Sequence, residues 1–254
     1  MLKSLFAYRP FVDLTLCHFL KQRLTLPNIS LNKLFEDFDK QPVTLHQLPC
    51  GGWSAPIADV VMLLKIVVCS KPKKLLEVGS FRGYTALYLA QHVADNTKIV
   101  TVDCYPEHGE AYRNTVYDSR IERRVGETSA SMFQQDIPGS YDLIFVDAEH
   151  TYADVKHDTE LILPLVSPTG FIVWHDYANW GYFYGINRVP EYLKELSQKL
   201  PIAHVDGSDL AIYSPAWAGA ENQRYQYATQ QNEQPTTTTN TTVENIWKTE
   251  SLRG

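Results

Sequence analysis

The sequence predicts an α/β protein with a mainly parallel, doubly wound sheet and helices on both of its faces. From Lys74 onward, short apolar runs alternate with stretches whose apolar residues recur at helical spacing, and such alternation is typical of βαβ units. The predicted strands are residues 75–78, 99–102, 121–125, 143–146 and 171–174. Two further runs, 202–205 and 210–213, lie close enough in sequence to form an antiparallel hairpin that ends the sheet.

The predicted helices lie between these strands and before the first of them. They cover residues 86–93, 109–118, 129–135, 152–163 and 189–200, where the apolar pattern has a helical period. Another helix is predicted to start after Ser54, which can cap it, with Pro56 in its first turn, and to run toward Val68.

Composition divides the chain into three predicted parts. Residues 1–50 form a helical extension whose apolar residues suit short amphipathic helices, residues 51–216 form the α/β domain, and residues 217–254 form a tail. The tail is rich in Gln, Asn and Thr and has few large apolar side chains. Such a segment buries too little apolar surface to offset its ordering entropy, so we expect the tail to be disordered.

The overall composition narrows the function classes. The chain has 254 residues, of which 44% are hydrophobic and 20% charged, as in ordinary globular proteins and unlike collagen-like, disordered or membrane-bundle chains. With 23 Lys and Arg against 29 Asp and Glu, the net charge is −6, and the basic residues are scattered. Nucleic acid is therefore not an expected partner.

The amino-terminal sequence predicts neither export nor a membrane span. The apolar run from Leu2 to Phe6 is broken by Arg9, Pro10 and Asp13 before a signal-peptide core could form. The four cysteines are far apart and include no C-x-x-C pair, which argues against a zinc site or a disulfide framework. We expect a cytoplasmic protein.

A glycine-rich turn follows the first predicted strand. Gly79 and Gly83 let the backbone pass close to a ligand, and the next helix points free N–H groups at it. Their spacing is G-x-x-x-G and not the G-x-G-x-x-G of dinucleotide-binding proteins, which weighs against nicotinamide. Asp103 ends the second strand, where a carboxylate can accept hydrogen bonds from both hydroxyls of a ribose. With Glu77 before the turn, these features together predict an adenosine-type site.

Three strings of residues resemble the motifs of a known family. The string from Glu77 to Thr85, EVGSFRGYT, resembles the first motif of class I S-adenosylmethionine-dependent methyltransferases, especially of small-molecule O-methyltransferases. YDLIFVDAEH at residues 141–150 and PTGFIVWHDY at residues 168–177 are similar to the same group. The resemblance covers roughly residues 53–213 and implies a Rossmann-like sheet of seven strands, with S-adenosylmethionine as the cofactor.

The resemblance also implies which residues contact the cofactor. Glu77 and Gly79 would lie near its methionine part and Asp103 on its ribose, while the turn at residues 126–128 would lie beside its adenine. An alternative for Glu127 is that it merely begins a helix, since an acidic side chain there suits the helix dipole. The full expected set is Glu77, Gly79, Ser80, Gly83, Tyr84, Thr85, Asp103, Gly126, Glu127, Thr128 and Asp147.

Four polar residues follow the fourth and fifth predicted strands, and neighbouring parallel strands would bring them to one rim of the sheet. Asp147 and His150 come after the fourth strand, and His175 and Asp176 end the fifth. Methyl transfer from a sulfonium needs an acceptor oxygen in line with the methyl group and, for an alcohol, a base that removes its proton. We expect His150 or His175 to be that base.

Two divisions of labour are open at this rim. In the first, Asp147 and Asp176 hold a hard cation such as Mg²⁺, which lowers the pKa of a bound hydroxyl, while His150 takes the proton. This follows the similarity to metal-dependent sugar O-methyltransferases, in which an acidic pair follows the later strand. Here His175 replaces one acid, and histidine better suits zinc or iron. In the second there is no metal, a histidine is the base and the aspartates orient groups.

Other residues near the rim are expected to have structural or substrate-covering roles. His175 has the alternative of a strand-end histidine bonded to backbone, and the remaining histidines, His108 among them, have no matching partners and are expected to be structural. The aromatic segment from Tyr177 to Gly185 is expected to be a substrate lid, since loops beyond strand ends are usually exposed.

These features favour an S-adenosylmethionine-dependent methyltransferase that acts on a hydroxyl of a small molecule, such as a sugar or glycoside. A second hypothesis is an NAD-dependent oxidoreductase on a similar sheet, and a third is a non-catalytic module that binds the cofactor or protein partners. The apolar amino-terminal helices could pair subunits in a homo-oligomer or cover the cofactor, and the sequence leaves both open.

Overall fold

The computed structural model of the protein describes residues 24–46, 48, 55–179, 187–218 and 222–229. Most of these residues pack around one sheet. Its strands are β1 (Asn28–Ile29), β2 (Lys74–Val78), β3 (Lys98–Asp103), β4 (Ile121–Val125), β5 (Tyr141–Val146), β6 (Val166–Trp174), β7 (Ala203–Val205) and β8 (Ala211–Tyr213). They lie in the order β1-β7-β8-β6-β5-β2-β3-β4.

Six α-helices surround this sheet in the described part of the chain. They are α1 (Leu31–Leu34), α2 (Ile57–Ser70), α3 (Tyr84–His92), α4 (Tyr152–Ile162), α5 (Val189–Leu196) and α6 (Gln223–Thr229). Of the described helices, none combines the length and apolar character that crossing a bilayer requires.

The pairing of the strands confirms the predicted mainly parallel sheet and its closing hairpin. β2 pairs in parallel with both β3 and β5, and β5 pairs in parallel with β6. β8 runs antiparallel to both β6 and β7. The chain winds outward from β2 first toward β4 and then toward β6, so the strand order reverses between β2 and β5, where ligands bind in such sheets.

Both faces of the sheet are covered, as predicted. The neighbouring residues Leu75 and Leu76 point to opposite faces, yet both are fully buried. Leu75 belongs to a cluster that includes Leu64 of α2, whereas Leu76 packs in a second cluster with Ile162 of α4. Helices on each face therefore exclude water from a parallel sheet whose strands are apolar on both sides.

The sheet has one strand more than the seven predicted. β1 pairs in parallel with β7, and the backbone N–H of Asp206 donates to the carbonyl of Ile29 at 3.0 Å. Ile29 is fully buried. Two residues are too few to show an alternating apolar pattern, so the sequence gives no signal for this strand.

Two predicted helices take other forms. In the predicted helix 109–118, Gly109 and Asn114 both have left-handed backbone, with φ of 91° and 61°, and the segment forms turns instead. Its Tyr112 is fully buried against the glycine-rich turn. The predicted helix 129–135 is a short 3₁₀ turn, Ala130–Phe133.

Part of the predicted tail is helical. α6 packs beside α1, where the backbone N–H of Ser30 donates to the carbonyl of Ala228 at 3.1 Å. The rings of Trp217 and Tyr225 stack with centroids 4.8 Å apart. Tyr225 and Ala228 give the helix an apolar face that packs in the same cluster as Trp217, so residues 223–229 depart from the disorder predicted for the tail. The predicted division of the whole chain at residues 51 and 216 stays a prediction, and residues 1–23, 49–54 and 230–254 lie outside the described residues.

Tyr177 is a structural anchor and not part of an exposed lid. The residue is fully buried, and its hydroxyl accepts hydrogen bonds from the backbone N–H groups of Thr25 and Leu26, both at 3.0 Å. It thereby ties the segment before β1 to the residues that follow β6. The aromatic residues at 180–185 of the expected lid lie outside the described residues.

We expect Tyr177→Phe to destabilise the fold. The substitution leaves the Leu26 N–H buried without its acceptor, which should cost about 1–3 kcal/mol in the free energy of unfolding. Urea denaturation followed by tryptophan fluorescence measures the loss. Tyr213→Phe is the matched control, because Tyr213 is similarly buried but anchors no backbone group in the described residues. Equal stability of the two variants would contradict the anchoring role.

Candidate active site

The glycine-rich turn between β2 and α3 packs directly on the end of β5. Gly79 has a φ of 93°, and a Cβ atom there would lie 2.0 Å from the carbonyl oxygen of Asp147. Only glycine combines this backbone conformation with so close an approach. Gly83, with a φ of 80°, precedes α3 in the same way, and Tyr84 and Thr85 form the first turn of that helix, half-buried.

Asp103 holds this turn against the end of β3. Its Oδ2 accepts hydrogen bonds from the backbone N–H groups of Ser80 at 3.0 Å and Phe81 at 2.7 Å. Its Oδ1 accepts from the N–H of Tyr105 at 2.9 Å and lies 2.8 Å from Nδ1 of His108. A carboxylate accepts about four hydrogen bonds, so a ribose hydroxyl would have to share or replace one of these donors. Of the four, only His108 is a side chain that can rotate away.

His108 is a residue that the sequence interpretation missed. Besides pairing with Asp103, its ring packs edge-on against Phe81, with centroids 5.1 Å apart, and lies 5.0 Å from the ring of Tyr105. It stands in a turn five residues after Asp103, and no periodic pattern marks such a position.

Glu77 is a buried acid beneath the turn. Its side chain is fully buried, and its Oε2 accepts a hydrogen bond from the Ser80 hydroxyl at 3.0 Å. Within the described residues its Oε1 has no hydrogen-bond partner. Burial raises the pKa of Glu77 to about 8. The free oxygen suits a ligand that donates a hydrogen bond or carries positive charge.

The residues predicted beside the adenine follow β4. The backbone N–H of Gly126 donates to the carbonyl of Asp103 at 2.9 Å, which places this turn next to the predicted ribose site. Glu127 is exposed and Thr128 half-buried. The alternative interpretation of Glu127, that it merely begins a helix, does not hold, because Thr128 is not helical.

The four predicted rim residues converge at the ends of β5 and β6. Nε2 of His150 lies 2.6 Å from Oδ2 of Asp176 and 3.8 Å from Oδ1 of Asp147. Nδ1 of His175 lies 3.2 Å from Oδ1 of Asp147 and 3.3 Å from Oδ1 of Asp176. The pairing with Asp176 outweighs burial and raises the pKa of His150.

Asp176 is held from several sides. It has left-handed backbone with a φ of 59°, which asparagine and aspartate tolerate better than most residues. Asn179 donates to its Oδ1 at 2.6 Å, and Asn187 donates to its carbonyl at 2.6 Å. Burial alone would raise the pKa of Asp176, but the adjacent His175 and His150 hold it below its ordinary range.

His175 contacts a third aspartate that the sequence interpretation missed. Its Nε2 lies 3.1 Å from Oδ2 of Asp59, in the first turn of α2, and Oδ1 of Asp59 accepts from the backbone N–H of Asp209 at 2.8 Å. Burial lowers the pKa of His175, but the charges of Asp147 and Asp176 outweigh burial and raise it well above its ordinary value. The alternative interpretation of His175 is a histidine whose ring bonds to backbone. The ring instead contacts carboxylates.

Three of these side chains could share a metal ion. Asp147, His175 and Asp176 each offer one ligand atom, and these atoms all lie within 4.8 Å of one another. The prediction of Asp147 and Asp176 as metal ligands is thus compatible with the geometry, and His175 joins them. The negative charge that favours a proton on His175 would equally favour a divalent cation.

Part of the chain that carries this site is similar in sequence to a known protein family. Residues 76–177 match a family described as a methyltransferase domain, and they contain the glycine-rich turn, Asp103 and all four rim residues. This match confirms that the segment resembles class I S-adenosylmethionine-dependent methyltransferases. The match favours a methyltransferase over the oxidoreductase hypothesis and agrees with the G-x-x-x-G spacing of the turn.

Curated relatives of the chain include proteins named as O-methyltransferases. Caffeoyl-CoA O-methyltransferase of Stellaria longipes is 31% identical over 161 residues, which cover 59% of this chain and 64% of that protein. Catechol O-methyltransferase of Mycobacterium tuberculosis is 27% identical over 81 residues, 30% of this chain and 36% of that protein. This chain therefore spans less than two thirds of the length of these curated relatives.

Solved structures share the fold of the chain. The O-methyltransferase TomG of Streptomyces achromogenes, solved in complex with S-adenosylmethionine, aligns with a TM-score of 0.51 at 20% identity. The alignment covers 72% of this chain and 89% of that one. An O-methyltransferase of Bacillus cereus aligns over 84% of this chain and all of its own, with a TM-score of 0.50 at 15% identity.

We expect the raised pKa of Glu77 to make the stability of the protein depend on pH. A folded-state pKa of about 8 against an ordinary value of 4.5 means that the folded state holds the proton more tightly. The stability that this proton contributes is fully present below pH 4.5 and is lost as the pH rises to about 8, at up to roughly 1.4 kcal/mol per pH unit. Glu77→Gln should remove this slope.

Urea denaturation at several pH values between 5 and 8 measures the effect. The difference between the native chain and Glu77→Gln isolates this group from the histidines that titrate in the same range. Glu160→Gln, on the exposed surface of α4, is the matched control and should keep the native slope. A Glu77→Gln variant with the native slope would contradict the raised pKa.

Proposed function

We propose that the protein transfers a methyl group from S-adenosylmethionine to a hydroxyl oxygen of a small molecule. The observation that carries this proposal is the contact between the glycine-rich turn and the charged rim. Gly79 packs on the backbone of Asp147, and the N–H of Asp147 donates to the carbonyl of Val78 at 2.8 Å. A cofactor on the turn would therefore have its reactive end beside His150 and its carboxylates.

The described residues fit this cofactor. The unpartnered Oε1 of Glu77 suits the positively charged methionine end, and the left-handed glycines leave the backbone of the turn open to a ligand. Asp103 stands one strand away, where a ribose would lie. When bound, S-adenosylmethionine supplies an electrophilic methyl group, which leaves its sulfonium sulfur as the new oxygen–carbon bond forms.

His150 is the better of the two candidate bases. Its side chain is 12% exposed, against 6% for His175, and His175 has carboxylates at both ring nitrogens. Asp176 orients the His150 ring and stabilises it once the ring takes the proton of the acceptor hydroxyl. Asp147 lies on the cofactor side of this pair. His175 is then a positioning residue and not a base.

A divalent cation is the second part of the proposal. Asp147 and Asp176 would hold it, with Mg²⁺ as the expected ion of an oxygen-ligand site. When bound, such a cation lowers the pKa of a coordinated hydroxyl and so eases the work of the base. In the alternative division of labour without metal, the aspartates orient His150 and the acceptor by hydrogen bonds alone.

We propose two classes of methyl acceptor for the turnover assay. Relatives named for catechol and caffeoyl-CoA favour an aromatic hydroxyl, while the resemblance to sugar O-methyltransferases favours a sugar or glycoside. Both classes offer neighbouring hydroxyls that could share one cation. A cytoplasmic location and a homo-oligomeric state stay predictions.

Replacement of His150 by Gln should strongly reduce turnover and spare cofactor binding. Loss of a general base costs about 10²–10⁴-fold in rate, whereas the cofactor turn does not depend on this side chain. Release of S-adenosylhomocysteine is measured with catechol, caffeoyl-CoA and methyl glycosides, and cofactor affinity by titration calorimetry. His92→Gln, at the far end of α3, is the matched control. Native turnover in His150→Gln would remove His150 from the mechanism, and absence of turnover in the native chain would favour the non-catalytic module.

Replacement of Asp103 by Asn should weaken S-adenosylmethionine binding roughly tenfold or more, because a hydrogen bond to a charged group contributes about 1.5–3 kcal/mol. Calorimetric titration of the folded variant measures this. Asp95→Asn, at a fully exposed position, should bind as the native chain does. His108→Ala frees one acceptor position on the same carboxylate and should not lower the affinity. Native affinity in Asp103→Asn would argue against a ribose contact at this residue.

A further inference from the structure

Asp59 lies outside the segment that matches the methyltransferase family, yet it reaches the centre of the rim. It precedes His175 by 116 residues in the chain. Both of its oxygens are engaged, since Oδ1 accepts from the backbone N–H of Asp209 and Oδ2 faces Nε2 of His175. The side chain of Asp59 is only 3% exposed. This carboxylate is fixed in place on both sides.

The position of Asp59 selects the tautomer of His175. A carboxylate can only accept hydrogen bonds, so Nε2 of the histidine must carry a proton. A neutral imidazole protonated at Nε2 has a lone pair and no hydrogen at Nδ1. Histidines that bind metals are commonly oriented by a carboxylate in this manner.

The other ring nitrogen of His175 faces oxygen atoms and not a hydrogen-bond donor. Nδ1 is buried and makes no aligned hydrogen bond with the described residues, although Asp147 and Asp176 oxygens lie 3.2 and 3.3 Å away. Neighbouring ligands of one cation lie about 3 Å apart when the metal–ligand bonds are roughly 2.1 Å long. Three lone-pair donors at this spacing repel one another unless Nδ1 carries a proton or a cation lies between them. A dication that binds there takes the place of that proton.

We propose that Asp59 is a positioning residue that presents Nδ1 of His175 as a nitrogen ligand, so that the site prefers a transition-metal dication such as Mn²⁺, Fe²⁺ or Zn²⁺ over Mg²⁺. This inference rests on the part of the proposed function in which a divalent cation binds at the rim. It changes the expected ion from Mg²⁺ to a transition metal. A set of one imidazole and two carboxylates suits these metals, whereas Mg²⁺ favours oxygen ligands alone. Asp176 gives one oxygen to this site and keeps the other for His150.

Asp59→Asn is the informative substitution. The backbone N–H of Asp209 demands an acceptor, so the amide oxygen of Asn should stay there and its NH₂ group should face Nε2 of His175. His175 must then accept at Nε2 and carry its proton at Nδ1. The shape of the site is kept, but the nitrogen ligand is lost.

The full chain is stripped with EDTA, and the affinities for Mn²⁺ and Mg²⁺ are measured by titration. We expect the native chain to bind Mn²⁺ more tightly than Mg²⁺, with coupling of the manganese electrons to an imidazole nitrogen in pulsed electron paramagnetic resonance. In Asp59→Asn, Mn²⁺ affinity should fall roughly 10–100-fold and the nitrogen coupling should vanish. Asp142→Asn is the matched control, since Asp142 accepts from the backbone N–H groups of Lys73 and Lys74 at the opposite end of the sheet. It should behave as the native chain.

Several outcomes would overturn the inference. Unchanged Mn²⁺ affinity and coupling in Asp59→Asn would remove the positioning role, and Mn²⁺ bound to the native chain without nitrogen coupling would remove the ligand. A native chain that methylates an acceptor in EDTA and binds none of these cations would refute the cation site but keep the proposed methyl transfer. Should Asp59→Asn fail to fold, nitrogen NMR of the Zn²⁺-loaded native chain decides the matter. A proton at Nε2 of His175 supports the inference, and one at Nδ1 overturns it.

Discussion

The convergence of Asp59, Asp147 and Asp176 on one imidazole is the interaction on which this end of the molecule depends. A buried carboxylate is costly unless it is paired and hydrogen-bonded. Here His175 faces all three, while His150 takes the remaining oxygen of Asp176. The ends of β5 and β6 and the start of α2 are thus held together by charge, since removal of any one partner would leave the others uncompensated.

The same constraint extends to the cofactor side of the sheet. Gly79 rests on the carbonyl of Asp147, and its own N–H donates to the carbonyl of Val102 at 2.9 Å. Asp103 then fixes the next two N–H groups of the turn. The turn and the rim are therefore parts of one hydrogen-bonded network. A methyl donor bound on the turn and a methyl acceptor bound at the rim would meet in a fixed geometry, which lowers the entropic barrier to reaction.

Much of this arrangement could be predicted from the sequence, because it follows from strand ends. Alternating apolar runs predict β2 to β6, and parallel strands must bring their carboxyl ends to one edge, which places Asp103, Asp147 and His175 near each other. Asp59 could not be found in this way. An acid in the first turn of a helix ordinarily complements the helix dipole, and its contact with His175 depends on how α2 packs. His108 and β1 lack a periodic signal, and left-handed backbone at Gly109 and Asn114 overrides a helical pattern.

The two rim histidines illustrate how environment separates identical side chains. His150 meets its carboxylate at one nitrogen and keeps some exposure, which are the properties of a base that must exchange a proton with a substrate. His175 is enclosed, with carboxylates at both nitrogens, so any proton it gives up would leave concentrated negative charge behind unless a cation replaced it. The presence of histidine in place of the acid expected at this position therefore has two consequences for the site. It reduces the negative charge of the site and adds a nitrogen donor, and both changes disfavour Mg²⁺, which relies on charge and oxygen ligands, more than they disfavour a transition metal.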